Sequence, residues 1–277
     1  MGLIEFTCAV LLMSVLAGLL GALTGLGGGV VIVPALVLLF HIDLRYAIGA
    51  SLVSVIATSS GAAVSYVREG FSNVRIGMFL EVATTVGAVV GADLAAHVSN
   101  QAIAIIFGLT LLYSAWSSFH HRQRERPRKQ NALAEKLEMT GDYPAASGRE
   151  TYIAQNVPAG FGIMFIAGTL SGLLGIGSGA VKVLAMDHAM KLPFKVSTTT
   201  SNFMIGVTAA ASAGIYLSRG YIAPGLAAPV MLGVLAGSLI GARLLLRIRV
   251  PILRVVFAVV IVALGVEMIY SGATGRL

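Results

Sequence analysis

The stretch GALTGLGGGVVIVP, residues 21–34, places five glycines and a proline inside an otherwise apolar segment. Glycine and proline both weaken a helix, and a backbone group without a hydrogen-bond partner is costly inside a lipid bilayer. A break at membrane depth is tolerated only where protein, water or a ligand satisfies the freed groups. The stretch therefore predicts a broken membrane helix, and it raises the question of what the break binds.

The composition of the chain indicates an integral membrane protein. Of its 277 residues, 57% are hydrophobic and 11% are charged, and the mean hydropathy is +0.88, whereas soluble domains carry about 25% charged residues. The net charge of +7 would suit nucleic acid, but seven of the 19 Lys and Arg residues lie in 120–152. Most of the others flank apolar runs, which is the positive-inside distribution. We therefore expect the lipid bilayer, and no nucleic acid, as a partner.

The first apolar run contains the single cysteine of the chain, Cys8. We interpret this run as the first membrane helix and not as a signal peptide, because no basic residue precedes it. One cysteine excludes both an intramolecular disulfide and a cysteine-based metal cluster. The sequence predicts no cofactor and no metal site.

The chain contains an internal duplication. A shift of 150 residues, without a gap, aligns its two halves, and matched pairs include Gly25/Gly175, Gly29/Gly179, Ser51/Ser201, Thr58/Thr208 and Gly91/Gly241. Repeats of this kind are typical of membrane transporters. We divide the chain into membrane repeat 1 (1–119), a basic linker (120–157) and membrane repeat 2 (158–277).

Each half has the same order of apolar segments. A long segment is followed by the glycine-rich break, a short segment (about 30–40 or 180–190) and three more long segments. A helix of about 11 residues is ~17 Å long, roughly half the hydrocarbon thickness of a bilayer. The sequence thus predicts an all-α membrane protein with four long helices and one short half-helix per repeat. It leaves open whether the short helices cross the membrane or re-enter.

The charges of the turns predict the orientation of the two repeats. The run HHRQRERPRK, residues 120–129, places the linker in the cytoplasm of a multi-pass plasma-membrane protein. The uncharged turn 98–101 is then outside, whereas the turn aligned with it contains three arginines, in 243–249, and is inside. Equivalent turns on opposite sides mean inverted repeats. Two basic residues fall alone on the outside: Arg45 and Arg219.

The two glycine breaks are predicted to bind an anion near the midplane of the membrane. The first N–H groups of a helix have no partner within it, and the positive end of its dipole favours negative charge. The break residues assigned to this site are Gly27, Gly28 and Gly29 in the first half and Gly177, Ser178 and Gly179 in the second. Close helix packing is the alternative role for glycine, and we assign it to Gly87, Gly91, Gly237 and Gly241.

Polar side chains near the breaks are the remaining candidates for substrate binding. Lys182 follows the second break, where its counterpart is Ile32, and an ionisable residue within a membrane segment is a functional candidate. The alternative is that Lys182 reaches the membrane surface with its ammonium group. Hydroxyl and amide groups that can hold a polar substrate are those of Ser51, Ser201 and Asn202.

Three residues are candidates for proton coupling. Glu81 lies well inside an apolar segment. Asp187 and His188 lie on the short segment of the second half, and histidine titrates near neutral pH. For Asp187 and His188 an ion pair at the membrane interface is the simpler alternative.

Two doubled motifs resemble those of the sulfite exporter TauE/SafE family. They are GLGGGVVIVPAL (25–36) with AIGASLVSV (47–55), and GIGSGAVKVLAM (175–186) with STTTSNFMIGV (197–207). The resemblance covers nearly the whole chain outside the linker. It implies a bacterial or archaeal plasma-membrane permease, and not an enzyme, that exports a small anion such as sulfite or an organosulfonate. Leu184, in place of a second proline, and Ser178 depart from the pattern.

The predicted function is therefore proton-driven secondary transport of a small anion between the two breaks. An anion channel is the first alternative. An intramembrane enzyme that uses Asp187 and His188 is the second, although no cysteine, HExxH motif or histidine cluster supports it. The sequence leaves room for a homo-oligomer.

Overall fold

The computed structural model describes residues 2–24, 28–68, 72–119, 134, 136–137, 139–145, 148–245 and 250–276. Within these ranges the chain forms ten helices, in agreement with the predicted helical class. In chain order they are α1 (Leu3–Thr24), α2 (Gly29–Phe40), α3 (Leu44–Arg68), α4 (Val74–Leu94), α5 (Asn100–Phe119), α6 (Val157–Leu174), α7 (Gly179–Leu184), α8 (Phe194–Ser218), α9 (Pro224–Leu245) and α10 (Val250–Thr274). Each half thus has four long helices and one short helix.

The helices have the length and the surface of membrane helices. By length and hydropathy, α1, α4 and α6 can each cross a bilayer, and α2, α5, α9 and α10 contain shorter apolar stretches within the described residues. Large apolar side chains point outward from several helices, and Leu12, Val82, Leu239 and Val259 are each more than half exposed. An apolar surface of this kind suits contact with lipid chains.

The two short helices differ in form. α2 continues for 12 residues through Pro34. α7 has six residues and runs into a π-helical turn, Ala185–Ala189, which Met190 N closes by donating to Ala185 O at 3.1 Å. The duplicated segments therefore have different backbones, and single π turns frequently occur at functional sites.

Each long helix packs chiefly against a helix of the other half. α1 packs against α9, and α4 packs against α6. α3 pairs with α8, and α5 pairs with α10. In the 150-residue alignment, α3 is equivalent to α8 and α5 to α10, so these helices pair with their own counterparts.

The equivalent helices that pair run antiparallel. In the α5–α10 pair, Gly108 lies against Ile269, whereas Gly272 lies against Ala104 and Ile105. A residue later in α10 thus contacts residues earlier in α5, as expected for antiparallel helices. In the α3–α8 pair, Gly49 near the start of α3 lies against Tyr221 just after the end of α8, whereas Ser59 farther along α3 lies against Gly206 in the middle of α8.

Glycines allow the backbones of paired helices to approach closely. In the α4–α6 pair, a Cβ at Gly87 or Gly91 would meet the carbonyl oxygen of Phe165 or Thr169. Gly237 lies against the backbone of α1 in the same way. This confirms the packing role predicted for these three glycines.

Part of the linker forms a β-hairpin, which the predicted helical class did not include. β1 (Thr140–Ala145) pairs antiparallel with β2 (Gly148–Ile153). The hydroxyl of the buried Tyr152 accepts a hydrogen bond from Asn73 Nδ2 at 2.8 Å, and Asn73 caps α4. Burial raises the pKa of the Tyr152 hydroxyl above its usual value. The hairpin is thus attached to the start of α4, and we call this the hairpin end of the molecule.

Candidate functional site

The second glycine break lies between α6 and α7. Gly175, Gly177 and Ser178 have φ values of +68°, +69° and +47°, in the left-handed region that glycine adopts at little cost. Gly175 N donates to Ser171 O at 2.8 Å and so closes the end of α6. The predicted break is confirmed here, because one helix ends at Leu174 and the next begins at Gly179.

The described part of the first break contacts the second. Gly29 is the first residue of α2, and a Cβ built on it would lie 2.6 Å from Ser51 Oγ and 3.2 Å from Gly175 O. Ser51 Oγ donates to Gly175 O at 2.8 Å. Gly29 is buried at this contact and Gly28 is buried against Val234 of α9, whereas Gly27 lies outside the described residues. The described end of the first break therefore contacts the second break inside the protein.

The hydroxyl groups predicted to bind substrate have different surroundings. Ser201 Oγ donates to Gly179 O at 3.3 Å, so Ser51 and Ser201 both bind backbone carbonyls of the second break in this conformation. Ser178 Oγ is buried and has no hydrogen-bond partner among the described residues. Asn202 is half-buried on α8. Ser178 is thus the unused hydroxyl of the second break.

Lys182 is completely buried. Its Nζ donates to Thr208 Oγ1 at 2.5 Å, and Thr208 Oγ1 donates to Glu81 Oε1 at 2.7 Å. Thr85 Oγ1 donates to the same carboxylate oxygen at 3.2 Å. We call Lys182, Thr208 and Glu81 the Lys–Thr–Glu network. It joins α7 and α8 of the second half to α4 of the first.

The network changes how two predictions relate. Lys182 does not extend to the membrane surface, so that alternative is wrong. The sequence predicts anion binding for Lys182 and proton coupling for Glu81 as separate roles. In the structure both side chains bind the hydroxyl group of Thr208. A buried ammonium and carboxylate are tolerated only when they are paired and hydrogen-bonded. Glu81 Oε2 is buried without a hydrogen-bond partner among the described residues, so the carboxylate has an unused position.

Thr208 is the member of the network that sequence reasoning missed. The available signal was its match with Thr58 in the duplication. Thr58 Oγ1 instead donates to carbonyls of its own helix, Ser54 O at 3.1 Å and Val55 O at 3.2 Å. The first half has the buried Ile32 where the second has Lys182, so it has no cation at this position. The duplication therefore identifies the threonine position, but only the neighbouring Lys182 and Glu81 distinguish Thr208 from Thr58.

Asp187 and His188 lie on the π-helical turn after α7. His188 Nε2 is 3.7 Å from Asp187 Oδ2, and the histidine side chain is 66% exposed whereas the aspartate is buried. The two side chains are close enough to form an ion pair when the histidine carries a proton. Among the described residues, no three His, Cys, Asp or Glu side chains come together.

Comparison with known proteins gives a family and two related transporters. The sequence model of the family described as Sulfite exporter TauE/SafE matches residues 10–268. "Probable membrane transporter protein YunE" of Bacillus subtilis (strain 168) is 25% identical over 267 residues, which cover 94% of this chain and 96% of the relative. "Probable membrane transporter protein YdhB" of the same organism is 27% identical over 235 residues, 84% and 88% of the two chains. No solved structure matches the chain.

Proposed function

The chain belongs to the sulfite exporter TauE/SafE family of membrane transporters, and we propose that it exports a small anion such as sulfite or an organosulfonate by secondary transport. The observation that carries this proposal is the Lys–Thr–Glu network. A fully buried lysine in a membrane protein is costly and is therefore a functional candidate by default. Here it lies on the helix that follows a membrane break, between the two halves of the protein.

We propose that the halves are inverted repeats in the plasma membrane, with the linker in the cytoplasm. The antiparallel pairing of α5 with α10 and of α3 with α8 supports this, because each pair joins equivalent helices. The opposite charge of equivalent turns supports it independently. Inverted-repeat transporters bind substrate near the midplane, where the repeats meet. The Lys–Thr–Glu network lies at such an interface.

The proposed substrate site consists of the two breaks and Lys182. The lysine supplies a fixed positive charge, and the backbone around Gly27–Gly29 and Gly177–Gly179 supplies N–H groups. Ser178 contributes an unused hydroxyl. Ser51, Ser201 and Asn202 complete the proposed site: an anion between the breaks takes over the hydroxyl bonds that the two serines now make to carbonyls. The complete burial of Lys182 favours a carrier over an open channel.

Glu81 makes anion binding depend on a proton. An anion at Lys182 beside an ionised Glu81 places two negative charges against one ammonium in a medium of low dielectric constant, which is unfavourable. A proton on Glu81 removes this conflict, so anion and proton are carried together and the proton gradient acts on transport. Under this coupling the inward proton gradient opposes export, so net export is driven by an outward anion gradient larger than the proton gradient. Asp187 and His188 are candidates for the path of the proton.

Transport assays in proteoliposomes test this function. We expect the protein to carry labelled sulfite and a labelled alkanesulfonate, and a pH gradient to change the rate for both. The alkanesulfonate is decisive for coupling, because it stays ionised and only the protein can take up the proton. Rates equal to those of protein-free liposomes for both anions contradict the proposed function. If the rate of alkanesulfonate transport is the same with and without a pH gradient, Glu81 does not couple anion binding to a proton.

The proposed topology predicts which positions are accessible from each side. Ser99 and Asp142 are both exposed, at the two ends of the molecule. In a Cys8→Ser background, we expect Ser99→Cys to react with an impermeant thiol reagent in intact cells, and Asp142→Cys to react only after permeabilisation. The Cys8→Ser protein without a new cysteine is the control. Labelling of both positions from the same side excludes this topology.

A further inference from the structure

A second group of cationic side chains lies at the end of the molecule opposite the hairpin. Arg45 and Arg219 line a cleft together with Tyr216 and Tyr221. Three alanines at or just after the end of α4 complete the lining: Ala92, Ala95 and Ala96. We call this the distal cleft. α4 runs from the hairpin end to the distal cleft over 21 residues, about 30 Å. We propose that the distal cleft is a second binding site for small oxyanions, through which the substrate enters or leaves; this rests on the proposed function.

The first support is the placement of the two arginines. Arg45 comes from the start of α3 and Arg219 follows the end of α8, so each half contributes one. They are also the two basic residues that the charge distribution leaves alone on the outside. A guanidinium group has five N–H donors and suits planar or tetrahedral oxyanions. The fold thus brings together two charges that the sequence separates by 174 positions, 219 − 45.

The second support is that the cleft contains donors without acceptors. Tyr216 is 1% exposed, and its hydroxyl has no hydrogen-bond partner among the described residues. Arg45 Nε is also buried without a partner there, although Nη2 of the same group donates to Ala96 O and Val98 O. Buried polar groups are rarely left unpaired, and an unpaired one calls for an explanation such as a ligand. An oxyanion accepts from both.

The third support is that a carboxylate, that of Asp93, already binds the guanidinium group of Arg219. Arg219 Nη2 forms an ion pair with Asp93 Oδ1, and Arg219 Nη1 donates to Ala92 O at 3.0 Å and to Asp93 O at 3.2 Å. The Asp93 side chain is 59% exposed and can turn into water. The cleft has no room for a water molecule in this conformation. A bound oxyanion therefore replaces the Asp93 carboxylate at Arg219.

Displacement of the Asp93 side chain by an anion also determines the net charge of the distal cleft. Two carboxylates lie near the arginines: that of Asp93, and that of Asp43, which accepts from Arg45 N and from Asn100 Nδ2. With both in place the group is neutral. When Asp93 turns away, the cleft has an excess positive charge that the anion neutralises.

Kinetics at one face of sealed vesicles test the proposal. The face is identified by labelling of Ser99→Cys, which lies at the distal end next to Val98. We expect Tyr216→Phe to raise the KM for an alkanesulfonate at this face about tenfold, because a hydrogen bond to a charged group is lost. Asp93→Asn should lower the same KM several-fold, because it removes the competing carboxylate. A merely structural role for these residues predicts neither change.

Arginine variants and a matched control complete the test. Arg45→Gln should raise the KM at the distal face by more than Tyr216→Phe, and Arg45→Lys should recover part of the loss. Lys195 is the position equivalent to Arg45, at the hairpin end, and Lys195→Gln removes the same charge there. We expect Lys195→Gln to leave the KM at the distal face unchanged. A wild-type KM for folded Tyr216→Phe, or a raised KM for Asp93→Asn, overturns the proposal.

Equilibrium binding separates this proposal from the proposed function. In Lys182→Met/Glu81→Gln protein the central site lacks its cation, so the part of alkanesulfonate binding that Tyr216→Phe weakens measures the distal cleft. We expect binding that Tyr216→Phe weakens about tenfold. If wild-type protein transports no anion but this binding persists, the proposed function fails and the distal cleft stands. If wild-type protein transports and this binding is absent, the distal cleft fails alone.

Discussion

Lys182→Met is expected to lower anion transport at least about tenfold and, separately, to destabilise the protein by about 3–5 kcal/mol. The loss of transport follows from the charge, since an ion pair at 4 Å contributes up to ~4 kcal/mol at an effective dielectric constant of 20. The loss of stability follows from Glu81, which stays buried without its cation. Removing one partner of a buried pair has a cost of this size. Transport in proteoliposomes and unfolding in denaturant measure the two effects.

A second substitution distinguishes the two effects. Lys182→Met/Glu81→Gln removes both charges and keeps side chains of similar length, so we expect most of the stability to return. Transport should stay low, because the anion still lacks its cation. Lys182→Arg is the control that keeps the charge, and part of the transport should remain. Near-normal transport by the folded double variant would show that the breaks bind anions through their backbone alone.

Gly168→Ala is expected to destabilise the protein by about 1–3 kcal/mol, through overpacking between α6 and α4. A Cβ at Gly168 would lie 2.7 Å from Thr84 Cα and 2.8 Å from Thr84 C, and also against Thr84 O, so two backbones would have to separate. Helix propensity acts in the opposite direction, because alanine is about 1 kcal/mol better than glycine within a helix. The measured loss is therefore the packing cost less this gain.

Gly162 is the matched control on the same helix. Nothing lies within 4 Å of a Cβ at Gly162, so Gly162→Ala adds the propensity gain without a clash. We expect a neutral or slightly stabilising effect. Unfolding of the two variants under identical conditions gives the comparison. Equal effects at both positions would mean that α4 and α6 do not approach as closely as the structure shows.

The glycine breaks were predictable because their signal is local. A cluster of glycines at the end of a long apolar run favours a helix end, and Gly175 and Gly177 adopt positive φ between α6 and α7. The number and order of the helices were predictable because apolar runs and a gapless duplication are visible in one sequence. The close-packing role of Gly87 and Gly91 follows from their spacing within one long helix. None of these features depends on which helices become neighbours.

The hairpin and the π turn were not predictable from these patterns. The linker segment 140–153 is polar, with glycine, proline and few β-branched residues, so its strands have no clear alternation. The π turn at Ala185–Ala189 follows a segment that reads as an ordinary short helix. Both depend on contacts, such as Tyr152 with Asn73 and Gln155 N with Met190 O.

The sequence by itself determined that this chain is a duplicated helical membrane protein with a break in each half, and it marked Lys182 and Glu81 as costly charges. Only the tertiary structure decided that these two charges share Thr208, and that Arg45 and Arg219 line one cleft. The physical reason is the range of the forces involved. Helix breaks and apolar runs depend on neighbours along the chain, whereas the hydrogen bonds that join these charges act over about 3 Å and exist only once helices from different halves have packed.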